Sequence, residues 1–258
     1  MLTLHSKVAI VTGSTSGIGK GIATYFAELG ASVVVHGTNR PHGDALAADL
    51  QGRGVRAIFV AANLADADDC QAIVSEAVHV FGRVDVLVNN AADTTRGTIE
   101  TVPIATWDRI LDVNLRAPFI LTQAVIPHMR SQGGGSIVNI GSVNAYIGEP
   151  KLCPYSVSKG GLMTLTKNAA SYLNQYRIRV NQLNVGWTLT EGEHRVKLLE
   201  GKGENWLEDA VATRPFGRLL SPQDVAYAAA YFASDESACV TGSVMDMEQY
   251  PVGAPPDW

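Results

Sequence analysis

Short runs of β-branched and other apolar residues alternate along the chain with longer stretches whose apolar positions recur every three or four residues. That is the pattern of parallel strands joined by helical crossovers. The strand-like runs fall at 8–11, 32–35, 55–60, 84–88, 136–140 and 178–183, with a seventh at 243–247. Polar residues hardly interrupt the first five, so both faces of each strand must be covered. The expectation is an α/β fold, a doubly wound parallel sheet of about seven strands with helices on both faces. Helical periodicity spans 17–29, 41–51, 67–81, 103–131, 153–176 and 222–233. Ser221-Pro222-Gln223-Asp224 supplies an N-cap, a first-turn proline and an acid at the positive helix end, while Gly30 and Gly82 stand where helices stop. Pro127 lacks a backbone donor and is expected to bend or break its helix. Gly133-Gly134-Gly135 directly precedes a strand and reads as a turn, not a linker. Without repeats or low-complexity tracts, residues 1–258 read as a single domain. The charged, glycine-containing stretch 188–214 is the expected substrate lid.

At 258 residues and 46% hydrophobic, the chain can bury a substantial core. Its 20 basic and 25 acidic side chains leave a formal charge of −5, which provides no field for a nucleic acid partner. No apolar run approaches the roughly 20 residues needed to span a bilayer, and the N-terminus lacks a signal-peptide layout, so a cytoplasmic protein without a membrane partner is expected. Cys70, Cys153 and Cys239 are too widely spaced for a disulfide framework or a zinc cluster; buried apolar thiols and no metal are expected.

After the first strand comes Gly13-Ser14-Thr15-Ser16-Gly17-Ile18-Gly19, and then a helix. Glycines let backbone approach a pyrophosphate, and free amides at a helix start attract negative charge. The second strand runs into Thr38-Asn39-Arg40, with no acid to accept a ribose 2′-hydroxyl. Arg40 suits a 2′-phosphate, which favours NADP over NAD; it also reads as a solvated residue at the next helix start. Farther on, Tyr155 and Lys159 are four apart in a helical stretch and share a face. An ammonium beside a phenol is expected to lower its pKa from roughly 10 and so make it a proton-transfer group. Ser142, ending the fifth strand, emerges at the carboxyl edge of the sheet where open α/β folds bind ligands.

In this order, these motifs resemble the short-chain dehydrogenase/reductases over nearly the whole chain. Asn89-Asn90-Ala91-Ala92, Asn114, the 214–218 segment and Val240-Thr241-Gly242 extend the match. The resemblance implies a single-domain, Rossmann-like fold and hydride transfer between a nicotinamide cofactor and a carbon bearing a hydroxyl or carbonyl. Tyr155 would be the general acid or base, assisted by Lys159, with Ser142 on the substrate oxygen and Asn114 anchoring a water that leads to Lys159. Cofactor contacts would come from Gly13, Ser16, Gly17, Ile18, Gly19, Thr38, Asn39, Arg40, Asn63, Leu64, Asn90, Ala91, Ala92, Tyr155, Lys159, Gly186, Thr188 and Thr190. The family also implies a homotetramer built on the two long helices.

The sequence departs from the family pattern in several places. Asn184-Val185-Gly186 lacks the usual proline, Asn63 replaces an acid, Ala92 replaces a glycine, and the tail 248–258 is polar and proline-rich. That tail is expected to pack on a neighbouring subunit or the substrate mouth. Substrate contacts are expected from Ser142, Asn144, Glu149, Leu152, Cys153, Tyr155 and Trp187 and from lid residues Glu191, Glu193, His194 and Arg195. So polar a pocket points to a sugar, a polyol or another small hydroxylated substrate. A 3-oxoacyl thioester or general carbonyl reductase, a non-catalytic dinucleotide-binding redox sensor, and a sugar-nucleotide epimerase or dehydratase are the competing readings.

Overall fold

In a computed structural model describing residues 2–252, β1 (Val8–Val11), β2 (Ser32–Gly37), β3 (Ala57–Ala61), β4 (Val86–Asn89), β5 (Gly135–Ser142), β6 (Ile178–Val185) and β7 (Val244–Met247) form one parallel sheet. Its order is β3-β2-β1-β4-β5-β6-β7, as the alternation of apolar runs predicts. Ile10 pairs with Val34 and Leu87 in the central register. Successive side chains leave a strand on opposite faces. Ala9 and Val11 therefore pack with Ile22 and Phe26 of α1 (Gly17–Glu28), Leu50 of α2 (Arg40–Gly52) and Phe232 of α9 (Pro222–Ala233). Ile10 packs on the other side with Ile73 of α3 (Ala67–Phe81), Leu121 of α5 (Ala117–Ser131) and Leu173 of α6 (Cys153–Leu173).

Helix ends follow their local chemistry. The Asp66 side chain accepts from the amides of Asp68 and Asp69 to start α3, and Gly82, at φ +76°, ends it. Ser221 and Asp224 form a reciprocal capping box on α9. Two expectations need correction. Pro127 neither breaks nor ends its helix: α5 runs through it, and the interruption lies earlier, where α4 (Ile104–Leu111) passes into a π-turn at Asp112–Arg116. The cysteines are not all buried, since Cys153 is half-buried and Cys239 exposed. The expected lid contains α7 (Glu191–Leu199) and α8 (Trp206–Ala212). Gln249 and Tyr250 lie on the segment after α8, with Gln249 donating to the Arg218 carbonyl at 2.6 Å. The rest of the expected tail contact, 253–258, lies outside the described residues.

Candidate active site

The chain leaves β1 through a loop that only glycine fits at two points. Gly13 and Gly17 have φ of +63° and +53°. A Cβ on Gly13 would stand 2.8 Å from the Ala91 Cα, so the loop lies directly against the segment after β4. Asn90 fastens it there: its side-chain amide donates to the carbonyls of Thr12 and Gly13 at 2.8 and 3.2 Å. Its backbone N–H donates to Thr12 Oγ1 at 2.9 Å, and Ala91 N–H does so at 3.1 Å. Ser16 precedes α1 without capping it, and the first turn holds no acid, so those helix amides retain their capacity for an anion. This donor set fits the pyrophosphate of a dinucleotide.

Thr38, Asn39 and Arg40, the expected ribose contacts, are exposed beyond β2. Asn39 Oδ1 caps α2 by accepting from His42 N–H at 3.1 Å, and Arg40 opens that helix with no ion-pair partner among the described residues. Asn63 uses its Oδ1 to accept from Ala65 N–H at 3.1 Å, and Leu64 is buried beside it. His36, which sequence reasoning passed over, accepts from Gly13 N–H through Nδ1 at 3.1 Å.

Ser142, Tyr155 and Lys159 converge between the end of β5 and the first turns of α6. Ser142 Oγ accepts from Asn144 N–H at 3.2 Å and hydrogen-bonds the Tyr155 phenol. Lys159 Nζ donates to the Ile140 carbonyl at 2.7 Å and lies 5.6 Å from the Tyr155 ring centroid. The expectation that Lys159 lowers the phenol's pKa needs correction. Burial pushes the Tyr155 pKa up, the Ser142 hydrogen bond only partly offsets this, and the Glu193 carboxylate adds to the rise. Burial also brings Lys159 down to about 8. At neutral pH the phenol holds its proton, the form that can donate to a carbonyl oxygen.

Asn114 sits in the π-turn, a widened geometry often found at functional sites. Its Oδ1 accepts from Asp93 N–H at 2.7 Å, and its Nδ2 donates to the Asp93 carbonyl at 2.9 Å and to Ser158 Oγ at 3.1 Å. It thereby binds the loop after β4 to the turn of α6 that carries Lys159.

The substrate side divides. Asn144 lies two residues beyond Ser142; Glu149 is exposed and turned to Lys151 N–H; Cys153 donates its amide to the Gly97 carbonyl at 3.2 Å. Trp187 Nε1–H donates to Glu193 Oε1 at 2.8 Å, and its ring stacks on Trp206 at 6.0 Å between centroids. His194 accepts from Trp206 Nε1–H at 2.9 Å and lines an outer groove with Ser16, Lys20 and His42. Glu193, one residue earlier, is the α7 carboxylate that acts on Tyr155. Thr190 joins α7 to the glycine loop: its hydroxyl caps α7 by accepting from Glu193 N–H at 3.0 Å, and its methyl lies beside Gly17. Thr188 donates to the Gly186 carbonyl, and Gly186 itself has no room for a side chain because Met247 O would lie 2.8 Å from it. An Arg96–Glu200 ion pair ties the far end of α7 to the loop after β4.

Among the described residues no group of three His, Cys, Asp or Glu side chains could hold a metal, and no helix is long and apolar enough to cross a membrane. The short chain dehydrogenase family model matches residues 7–199. A 3-oxoacyl-(acyl-carrier-protein) reductase of Thermotoga maritima is 35% identical over 247 residues, covering 96% of this chain and 98% of that protein. Dehydrogenase/reductase SDR family member 4 of Bos taurus is 39% identical over 243 residues, covering 94% and 86%. The crystal structure of L-sorbose reductase from Gluconobacter frateurii, complexed with NADPH and L-sorbose, superposes with a TM-score of 0.93 at 29% identity, covering 98% of this chain and 99% of that one. With its loop, sheet order and Ser-Tyr-Lys grouping, the chain belongs to the short-chain dehydrogenase/reductase family and is an oxidoreductase of it.

Proposed function

We propose that this oxidoreductase prefers NADP and interconverts a secondary alcohol and a carbonyl on a sugar, polyol or similar small hydroxylated molecule. The observation that carries the cofactor preference is the ribose end: no acid follows β2, and Arg40 stands exposed with its forked donors unpaired among the described residues. The substrate class is supported by polar groups around Tyr155, with Asn144, Glu193 and the Trp187 indole N–H among them, and by the likeness to a reductase solved with NADPH and L-sorbose. Half-buried polar groups of this kind favour a substrate that brings its own hydroxyls as hydrogen-bond partners.

The bound dinucleotide supplies hydride chemistry. In reduction, Tyr155 gives its phenolic proton to the carbonyl oxygen that Ser142 holds, and oxidation reverses the transfer. Lys159 would hold the nicotinamide ribose and supplies a positive charge behind the phenol, while Asn114 fixes the turn that carries it. The segment 188–214 acts as the lid. Exposed Phe119 on α5 and Val157 and Tyr172 on α6 support a homotetramer built on those helices. Reduction of a 3-oxoacyl thioester is the second reading, favoured by the Thermotoga maritima relative. A dinucleotide sensor without turnover would have no use for Ser142, Tyr155 and Lys159 together.

The test is a fluorescence titration with NADPH and NADH, then a panel of sugars, polyols, simple ketones and 3-oxoacyl thioesters read at the nicotinamide absorbance. Tighter NADPH binding with turnover on a hydroxylated substrate is expected. Tighter NADH binding would remove the role of Arg40, and turnover confined to thioesters would replace the substrate class.

A further inference from the structure

The imidazole of His36 lies at the end of β2, where three segments of the dinucleotide cleft meet. Nδ1 accepts the Gly13 N–H at 3.1 Å, and Nε2 faces the Ala62 carbonyl, beyond β3, at 3.2 Å. An N–H only donates and a carbonyl only accepts, so these partners select the neutral tautomer with its proton on Nε2. The backbone closes the junction. Ser14 N–H donates to the His36 carbonyl at 2.8 Å, and His36 N–H donates to Ser14 Oγ at 3.0 Å. Next along, Gly37 is packed against Thr15, where a Cβ would stand 2.7 Å from the Thr15 Cγ2. The first half of the glycine loop is thus docked on His36 and Gly37, immediately before the exposed Thr38-Asn39-Arg40.

We propose that His36 is a positioning residue for the dinucleotide: through Nδ1 it fixes the Gly13 amide, and with it the separation of the phosphate loop from the segment that reads the ribose. Gly13 is left-handed and outside any helix or strand, so its amide has no regular-structure partner to fall back on. The residue is 2% exposed, and burial pulls its pKa from 6.5 to about 4, against the raising influence of the Ala62 carbonyl and the Asp69 carboxylate of α3. Nδ1 therefore remains an acceptor at neutral pH. Protonation would set a donor against the Gly13 donor. The inference rests on the dinucleotide-dependent reading and adds a residue that acts on cofactor affinity, not on proton transfer.

Asparagine and glutamine separate the two ring nitrogens. The Asn carbonyl oxygen falls near the place of Nδ1, and the Gln amide nitrogen near that of Nε2. In steady-state kinetics with NADPH, direct cofactor titration and thermal melting, His36→Ala is expected to raise KM and Kd for NADPH roughly 10-fold, the loss of one buried hydrogen bond, with kcat within about two-fold. His36→Asn should return KM to within about three-fold of wild type, while His36→Gln should recover melting temperature but not KM. Equal rescue by Asn and Gln, or a fall in melting temperature with no change in cofactor KM in all three variants, would overturn the positioning role and leave the function standing. A wild-type protein that bound neither dinucleotide would overturn both.

Discussion

Lys159 holds an amine where only 2% of the residue is exposed, with the Ile140 carbonyl as its hydrogen-bond partner at 2.7 Å. Burial lowers its pKa from 10.5 to about 8, so at pH 7 it is charged in both the folded and the unfolded chain. The gap between those values corresponds to about 3 kcal/mol by which burying the charge disfavours the fold. Methionine has nearly the same length and shape and no charge. Lys159→Met removes that cost and forfeits a charged hydrogen bond worth about 1.5–2 kcal/mol, for a net gain of about 1–1.5 kcal/mol at pH 7. In a chain of this size that is roughly 2–6 °C in Tm. The sign also depends on pH. A folded-state pKa below the unfolded one means that the unfolded amine keeps its proton between about pH 8 and 10.5 while the folded amine has lost it, so wild-type stability rises through that window. The advantage of Met should therefore narrow between pH 7 and 9.5 in thermal melts followed by circular dichroism, while turnover falls roughly 10²–10⁴-fold at either pH. A Met variant that melts below wild type at pH 7, or whose lead does not narrow at pH 9.5, would refute the reasoning.

Tyr155→Phe should lower kcat roughly 10²–10⁴-fold while Kd for NADPH stays within about three-fold; near-normal turnover would remove Tyr155 from proton transfer. Because the Tyr155 pKa is raised, alcohol oxidation should climb through the alkaline range while carbonyl reduction declines only there, and a pH–rate profile measured in both directions checks it. Arg40→Ala should raise KM for NADPH roughly 10-fold or more and leave KM for NADH within about two-fold; equal effects on both would make Arg40 a surface residue. Arg177 is exposed with φ +59°, a left-handed conformation that costs a non-glycine residue about 1 kcal/mol or more, so Arg177→Gly should raise stability by about 0.5–1 kcal/mol in urea unfolding; a loss of stability would show that the side chain carries its own contact.

Where one apolar face decided an element, its bounds were legible: α3 covers the 67–81 stretch that its periodicity marks and ends at Gly82. Helix α7 was not legible as a helix, because it buries none of its residues and has no apolar stripe to read. A signal was present all the same, since Thr190 and Glu193 have the spacing of an N-terminal capping pair. Of the site, the four-residue spacing of Tyr155 and Lys159 was legible, but the direction of the phenol's pKa was not. That direction depends on burial and on Glu193, which another segment brings in. His36 was invisible for a similar reason. In the sequence it closes a valine run, and its partners lie 23 and 26 residues away.

The carboxyl half of the sheet is polar where packing alone would favour aliphatic side chains, and one carboxylate explains how those groups are oriented. Asp246 on β7 can only accept, so Asn184 presents Nδ2 to it at 3.0 Å. The Asn184 oxygen then takes Gln182 Nε2 at 2.7 Å, and Gln182 Oε1 takes the Thr166 hydroxyl at 2.9 Å. Thr166 in turn accepts from Asn139 at 2.8 Å, and Asn139 Oδ1 accepts from Asn89 at 2.8 Å. Five side chains from β4, β5, α6 and β6 are thus set in one direction from a single end. Apolar packing tolerates small slides, whereas a run of hydrogen bonds at these distances does not. Gly141 shows how closely the row is seated: any side chain there would strike Gln182 and Asn184. On either side of Gly141 lie the Ile140 carbonyl that holds Lys159 and the Ser142 hydroxyl that meets Tyr155. The row ends at Asn89, whose Oδ1 is buried without a partner, directly before the Asn90 that fastens the glycine loop. Positional accuracy at those strand ends is what hydride and proton transfer require of a scaffold, and it accounts for a buried polar row in this sheet.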